Sequence, residues 1–238
     1  MKKVIIIGAT SGIGRELAKI YSSKGYKIGI TGRRENLLIE LMEESPDSFI
    51  IRPFDISNPR ENGKNLEELI RALGGLDLIV INSGVGYPNE ELDFKIEYDT
   101  FETNIFGVAE IAVWSFNYFR KQGFGHIAFV SSIAGMRGGR FNPAYSASKA
   151  FQINYCEGLR VKANKSKLPI YVTDIRPGFV DTAMAKSPNK FWVAPPQKAA
   201  KQIYSALKRK KKIAYITKRW IIVAYILKLL PKWIFDRI

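Results

Sequence analysis

An α/β protein built on a doubly wound parallel sheet of seven strands, with helices on both faces, is the fold class that this sequence predicts. Three observations carry that prediction. Short apolar runs alternate with stretches of helical spacing along nearly the whole chain. The first such run, residues 4–7, passes directly into a glycine-rich turn, Gly8-Ala-Thr-Ser-Gly12-Ile-Gly14, and then into a helix-like stretch. The 238 residues, 46% of them hydrophobic, suffice for one sizeable core, and no repeat or low-complexity linker divides them. Residues 1–238 therefore read as one domain, with a basic, apolar tail at about 218–238.

The first strand is expected at 4–7, where an unbroken apolar run suits a strand buried on both faces. Its Met-Lys-Lys start imitates a signal peptide, but the apolar run is too short and leads straight into Ser-Gly-Ile-Gly-Arg-Glu. Residues 15–23 follow with Leu17, Ala18, Ile20 and Tyr21 at helical spacing. Glycines between strand and helix let the backbone turn tightly and approach a pyrophosphate, whose charge would be met by the free amides and the positive end of the helix. A glycine pattern alone is weak; here both flanks supply its context. Further strands are expected at 27–31, 49–54, 78–82, 126–132, 170–176 and Ile213–Ile216, with helices at 37–44, 66–73, 100–121, 145–163 and 197–208. Right-handed crossovers distribute those helices over both faces. Ligands of such sheets bind beyond the carboxyl ends of the strands, and the glycine turn, Asp55, Asn82, Ser132 and Pro177 all fall there.

Tyr145 and Lys149 stand four residues apart in Tyr145-Ser-Ala-Ser-Lys149, thirteen residues after Ser132. On a helix that spacing puts both on one face, so an ammonium can sit beneath a phenol and stabilise its phenolate. Tyrosine ordinarily titrates near ~10. A fixed cation lowers that value toward the range that acid–base work at neutral pH needs. Together with the glycine turn, the pair points to a nicotinamide-dependent oxidoreductase.

In these motifs the chain resembles the short-chain dehydrogenase/reductase family, a Rossmann-type group, over roughly residues 2–217. The matches fall in the family's order: Gly8, Gly12 and Gly14; Asp55 after the third strand; Asn82-Ser83-Gly84 after the fourth; Asn104 in a long helix; Ser132, Tyr145 and Lys149; then Pro177-Gly178 with Thr182. Two positions depart from it. Ile7 replaces a threonine before the first glycine, and Ile81 replaces the first asparagine of an Asn-Asn-Ala-Gly motif, each losing a polar tie between neighbouring segments. The resemblance implies a carbonyl held by Ser132 and Tyr145, with Tyr145 as proton donor. It also implies that Lys149 lowers the phenol's pKa and holds the nicotinamide ribose, and that Asn104 supports a water chain back to Lys149. Cofactor contacts are implied for Gly8, Thr10, Ser11, Gly12, Ile13 and Gly14 in the turn, and for Asp55 on the adenine amino group with Ile56 beside it. They are implied too for Asn82 and Gly84, and for Pro177, Gly178, the backbone near Val180, and Thr182 around the carboxamide. A homodimer or homotetramer is implied as well, through the helices at 100–121 and 145–163, the first of which carries Trp114, Phe116, Tyr118 and Phe119.

Cofactor choice turns on Gly32-Arg33-Arg34 at the end of the second strand, where an NAD enzyme usually carries an acidic residue. A carboxylate there would repel a 2′-phosphate, whereas a guanidinium grips it with paired hydrogen bonds. NADP(H) is therefore the preferred cofactor and NAD(H) the alternative. The competing reading has Arg33 and Arg34 merely opening a solvated helix. For Asp55 it has a cap on the helix that follows.

Substrate residues are expected in two loops, Met136, Arg137, Arg140 and Phe141 in the first and Met184, Phe191 and Trp192 in the second. They favour a hydrophobic carbonyl, with the arginines meeting an acidic group at the mouth; lid and core packing is the alternative. The second loop, 183–195, is short enough to suggest an open site. Cys156, the single cysteine, precludes an internal disulfide, reads as a small buried hydrophobe and fits a reducing, cytoplasmic setting. His126, the only histidine, reads as structural, and no metal site is expected. From Lys198 onward stand twelve Lys/Arg against one Asp, which supplies +11 of the total +15. Within that stretch the eight apolar residues 220–227 are too few to cross a bilayer, which needs about 20. They suit a helix lying on an anionic membrane surface, or one packed on its own domain or a partner. Nucleic acid ranks below both. A reading from another class is a cofactor-binding scaffold recruited to a membrane by this tail, with little catalysis; the complete Asn104, Ser132, Tyr145 and Lys149 set argues against it.

Overall fold

Seven strands form where the apolar runs placed them: β1 (Lys3–Ile7), β2 (Lys27–Gly32), β3 (Phe49–Pro53), β4 (Leu78–Ile81), β5 (Gly125–Val130), β6 (Ile170–Pro177) and β7 (Ile213–Ile216). The computed structural model describes residues 2–184, 191–235 and 237. All pairings are parallel, in the order β3-β2-β1-β4-β5-β6-β7. The winding reverses between β1 and β4, whose ends hold Ile7 beside Ile81, and a crevice opens above that switch point.

Alternation along β1 explains its unbroken apolar run. Val4 and Ile6 enter the core under α1 (Gly12–Ser22), α2 (Glu35–Glu43) and α7 (Pro196–Lys208), while Ile5 and Ile7 enter the core under α3 (Asn62–Leu73), α5 (Val108–Gln122) and α6 (Pro143–Lys165). Each fully buried isoleucine contributes roughly 1.5–3 kcal/mol relative to exposure. The two departures from the family pattern are absorbed the same way. Ile7 and Ile81 are buried in the second core, and the tie to the glycine turn is made instead by Asn82, whose Nδ2 donates to the Gly8 carbonyl at 2.7 Å.

Three boundaries differ from expectation. The single helix expected at 100–121 is three segments: α4 (Phe94–Phe101), a π-helical turn (Glu102–Gly107) and α5. β5 ends at Val130, the Ser131 hydroxyl donates to Asp174 Oδ1 (2.5 Å), and a 3₁₀ turn (Ile133–Met136) then begins with Ser132 as its cap. After β7 the tail forms α8 (Trp220–Leu229) and α9 (Lys232–Phe235). No helix among the described residues is long and apolar enough to cross a membrane.

His126 is buried at the amino end of β5, with Nε2 2.8 Å from Thr173 Oγ1. The threonine hydroxyl spends its one proton on the Lys211 carbonyl, so it accepts from His126 Nε2–H and fixes that tautomer. Burial first, then Lys210, pushes the imidazole down to about 4 from 6.5. Between those values the unfolded chain binds a proton that the folded chain does not. The stability that neutral His126 contributes is thus complete above pH 6.5 and is lost as pH falls to 4, by about 3 kcal/mol. His126→Gln is expected to flatten that limb of the stability–pH curve in denaturant unfolding; an unchanged slope would contradict the assignment.

Candidate active site

The turn from β1 into α1 is shaped to receive an anion. Ser11 caps α1 with extended backbone but makes no side-chain cap bond, so the first amides of the helix keep their donors without a side-chain partner. Gly8 adopts φ +86°, and a Cβ on Gly14 would run into the Gly8 carbonyl, which lets strand and helix meet closely enough to leave a cradle above them. Thr182 closes one side, its methyl lying 2.9 Å from where a Gly12 Cβ would sit. Thr10 and Ser11 are spanned by Arg34, whose Nη2 donates to their hydroxyls at 2.7 and 2.9 Å. Arg33, more exposed, pairs with Asp55 at 3.4 Å. Asp55 also accepts from the Ser57 amide at 3.0 Å, so it organises the turn after β3 and does not cap α3, which starts at Asn62. The side chains of Ile56 and Val180 are buried in the two cores, and Ile13 packs partly on the first, leaving only their backbones to face a ligand. The donors of this turn and the first amides of α1 suit the pyrophosphate of a dinucleotide.

Across the cleft, α6 carries Tyr145 and Lys149 on one face as the four-residue spacing requires. Lys149 is buried, and its Nζ donates to the Val130 carbonyl and to Gln152 Oε1, each at 3.0 Å. Its ammonium lies 5.8 Å from the centroid of the Tyr145 ring. Desolvation pulls the ammonium down to about 8, against the opposing pull of Asp174. Burial likewise raises the Tyr145 phenol, and the Ser132 hydroxyl draws it back. Desolvation thus sets the direction of the phenol's shift, upward, opposite to the lowering expected from the sequence. A Cβ at Gly84 would stand 3.3 Å from Asn104 Oδ1 and 3.4 Å from Lys149 Nζ, so the chain after β4 passes close beside both. Asn104 is wholly buried in the π-helical turn. Its carboxamide exchanges bonds with Val85 N (2.9 Å) and Val85 O (2.7 Å) and donates to Ser148 (3.0 Å). The extra residue of the π turn rotates its main-chain carbonyl toward α6, where Gln152 Nε2 meets it at 2.9 Å.

Beyond Pro177 and Gly178 the chain is aromatic. Phe179, Phe191, Trp192 and Trp220 pack together, with Phe191 and Trp220 4.9 Å apart and Gly178 small enough to admit the indole of Trp220. Met184, Phe191 and Trp192 are exposed there; residues 185–190 of the loop read as short, beside a fairly open site, lie outside the described residues. Arg137, expected at the mouth to meet an acid, is engaged otherwise: it donates to the Leu227 carbonyl (2.7 Å) and the Leu230 carbonyl and lies over Phe235. It closes the last turn of α8, whose free carbonyls favour a cation. Arg140 lies over Phe141. The tail therefore packs on its own domain by one face, through Trp220 and Ala224, while Ile221, Ile222, Tyr225, Ile226 and Leu229 on α8 stay exposed. Cys156 is buried, its thiol pushed up to about 12 by desolvation, as a structural cysteine should be. No cluster of three metal-ligating side chains occurs among the described residues.

Two parts of the site escaped the sequence. Gln152 lies three residues after Lys149, a polar group on the buried face of a helix, and that spacing was its only signal. Asp174 and Arg176 alternate on β6 and form a buried pair (2.6 Å) that holds Ser131 and, through Tyr215 at 3.1 Å, reaches β7. This pair anchors the strand end from which Ser132 projects.

A family model for the short-chain dehydrogenases matches residues 2–191. The chain belongs to the short-chain dehydrogenase family. A Mycobacterium tuberculosis protein described as an uncharacterized oxidoreductase is 30% identical over 217 residues, covering 87% of this chain and 85% of its own. The dehydrogenase/reductase SDR family member 7B of Xenopus tropicalis is 32% identical over 193 residues, 76% of this chain and 62% of its own. Among solved structures, a short-chain dehydrogenase/reductase from Burkholderia phymatum in complex with NAD superposes with a TM-score of 0.85 at 18% identity, over 94% of this chain and 92% of its own. An alcohol dehydrogenase of Thermococcus sibiricus complexed with 5-hydroxy-NADP gives 0.77 at 23%, over 90% and 94%. This short-chain dehydrogenase thus has the family's sheet, and Gln152 links Lys149 to Asn104 across its cleft.

Proposed function

We propose that this short-chain dehydrogenase interconverts a hydrophobic ketone or aldehyde and its alcohol, using NADP(H) in preference to NAD(H). The convergence of Ser132, Tyr145, Lys149 and Asn104 at the switch point, opposite a glycine turn flanked by two arginines, is the observation that carries the reading. Arg33 and Arg34 hold the 2′-phosphate, with Gly8, Gly12 and Gly14 leaving room for the pyrophosphate and Thr182, Gly178 and the Val180 backbone bordering the nicotinamide. When bound, the reduced nicotinamide supplies the hydride. Ser132 and Tyr145 orient the carbonyl oxygen. As the carbonyl carbon becomes tetrahedral, Tyr145 gives its phenolic proton to that oxygen, and the Lys149 ammonium stabilises the phenolate left behind. Phe179, Phe191, Trp192 and Trp220 exclude water and favour apolar substituents.

The relative SDR family member 7B, described as a dehydrogenase/reductase, supports redox chemistry. Titration of the purified protein with NADPH and NADH by fluorescence, followed by an NADPH-consumption screen of apolar ketones and aldehydes, tests the proposal. Tighter binding of NADPH and turnover of an apolar carbonyl are expected. Tighter binding of NADH would overturn the cofactor assignment, and binding of neither would favour a scaffold role.

A further inference from the structure

Gln152 occupies a place that a reaction-centred view of the cleft leaves unexplained. It is buried, with 2% of its surface exposed, one helical turn beyond Lys149 on α6. Its two polar atoms are both used: Oε1 accepts from Lys149 Nζ at 3.0 Å, and Nε2 donates to the main-chain carbonyl of Asn104 at 2.9 Å. That carbonyl belongs to the π-helical turn that also carries the Asn104 side chain. Here a fixed side chain spans the gap. A carboxamide accepts on one atom and donates on the other, so it satisfies both neighbours at once but passes a proton poorly between them.

We propose that Gln152 is a positioning residue for this short-chain dehydrogenase: it braces the Lys149 ammonium against the π-helical turn and so keeps it charged and aimed at Tyr145 and the cofactor ribose. The inference rests on the reading of Tyr145 and Lys149 given above. Three further features support it. With Val130 O and Gln152 Oε1 taking two of the three ammonium hydrogens, one remains without a partner among the described residues, on a nitrogen that lies beside Gly84 at the cleft. The π turn is the local distortion that brings the Asn104 carbonyl within reach, and the Asn104 side chain is committed elsewhere, to Val85 and Ser148. Desolvation works against the charge on Lys149, so an acceptor dedicated to the ammonium has a defined electrostatic task.

The groups that face Lys149 are few. Tyr145 approaches from its own helix, the neutral Asn104 and Gln152 from the π turn and α6, and Val130 O from β5. Among the described residues Asp174 on β6 supplies the carboxylate that acts on it, and that carboxylate is shared with Arg176 and Ser131. Loss of the Gln152 acceptor therefore has no ready replacement from a charged side chain.

The test is the titration of Lys149 itself, followed by NMR on protein carrying ¹³C at the lysine ε-carbons, the Lys149 signal being identified by its loss in Lys149→Arg. Gln152→Leu is expected to lower the midpoint by about one pH unit, the scale of one hydrogen bond to a charged group. Gln152→Glu, of nearly the same shape, is expected to raise it. Circular dichroism and thermal melting on both variants establish that they fold. A midpoint that stays put in both folded variants would overturn the proposal, because a merely space-filling residue would leave it so. Should Gln152→Leu fail to fold, Gln152→Met, which keeps the volume and lacks the amide acceptor, takes its place, and an unmoved midpoint there overturns the proposal. In the pH profile of kcat, the alkaline limb is expected to move with the Lys149 midpoint, downward in Gln152→Leu and upward in Gln152→Glu. Absence of turnover in the wild-type protein would sink the enzymatic reading, while the Lys149 midpoints would still decide whether Gln152 braces the ammonium.

Discussion

Tyr145→Phe is expected to lower kcat by roughly 10²–10⁴-fold, the range for removing a positioned general acid, while cofactor binding is retained. The substitution deletes one oxygen and little else. The ring is held by its fit against Gly86, where a Cβ would come within 2.8 Å of it, so phenylalanine occupies the same slot. Lys149 keeps both of its partners, Val130 O and Gln152 Oε1, neither of which depends on the phenol. What is lost is the proton that must reach the carbonyl oxygen as the hydride reaches the carbon; Ser132 can still orient the oxygen but its hydroxyl is a far weaker acid. Steady-state kinetics beside a fluorescence titration separate the two effects. Retention of turnover within a few-fold of wild type would remove Tyr145 from its role.

The second large effect is expected at the arginines, where two substitutions that look alike should behave differently. Arg33→Ala is expected to weaken NADPH by at least about tenfold and to leave NADH unchanged, since a hydrogen bond to a charged group is worth about 1.5–3 kcal/mol. Its present partner, Asp55, does not compete strongly. That pair is 3.4 Å long with the arginine more than half exposed, and such surface pairs contribute about 0–1 kcal/mol. Arg33 can therefore turn to a phosphate at small cost and release Asp55 toward an adenine. Arg34 also braces the turn through Thr10 and Ser11. Arg34→Ala should accordingly weaken both cofactors, and the double variant should cost NADPH about 10²-fold or more. Equal losses for NADPH and NADH in Arg33→Ala would identify it as a solvated helix start.

The parts of this molecule that were legible in its sequence are those in which one residue type answers one local requirement. The β1 run, the glycine turn and the four-residue spacing of Tyr145 and Lys149 each announce their own geometry, and each was found where expected. Side-chain periodicity could not announce the π turn, because one inserted residue shifts the helical phase without changing which residues are apolar. The same holds for Gln152, whose partners come from residue 104 and from its own helix only once that turn has formed. For Arg137 the packing alternative holds, and the sequence could not choose it for a related reason. A basic residue near a cleft reads as a ligand for acids, whereas its real partners are the last carbonyls of α8, ninety residues away in sequence. Asp174 and Arg176 were hidden in a strand whose remaining residues are mostly apolar, where a buried ion pair leaves no periodic trace.

The central claim is that hydride and proton meet at one carbonyl between the cofactor cradle and Tyr145. It is tested most directly by incubating the wild-type protein and Tyr145→Phe with NADPH deuterated at the nicotinamide C4 and an apolar ketone from the screen, then locating the label by mass spectrometry. The expected result is one deuterium on the carbinol carbon of the wild-type product and almost none from the variant in the same time. Equal labelled product from both proteins, or NADPH consumed by wild type without deuterium at that carbon, would contradict it.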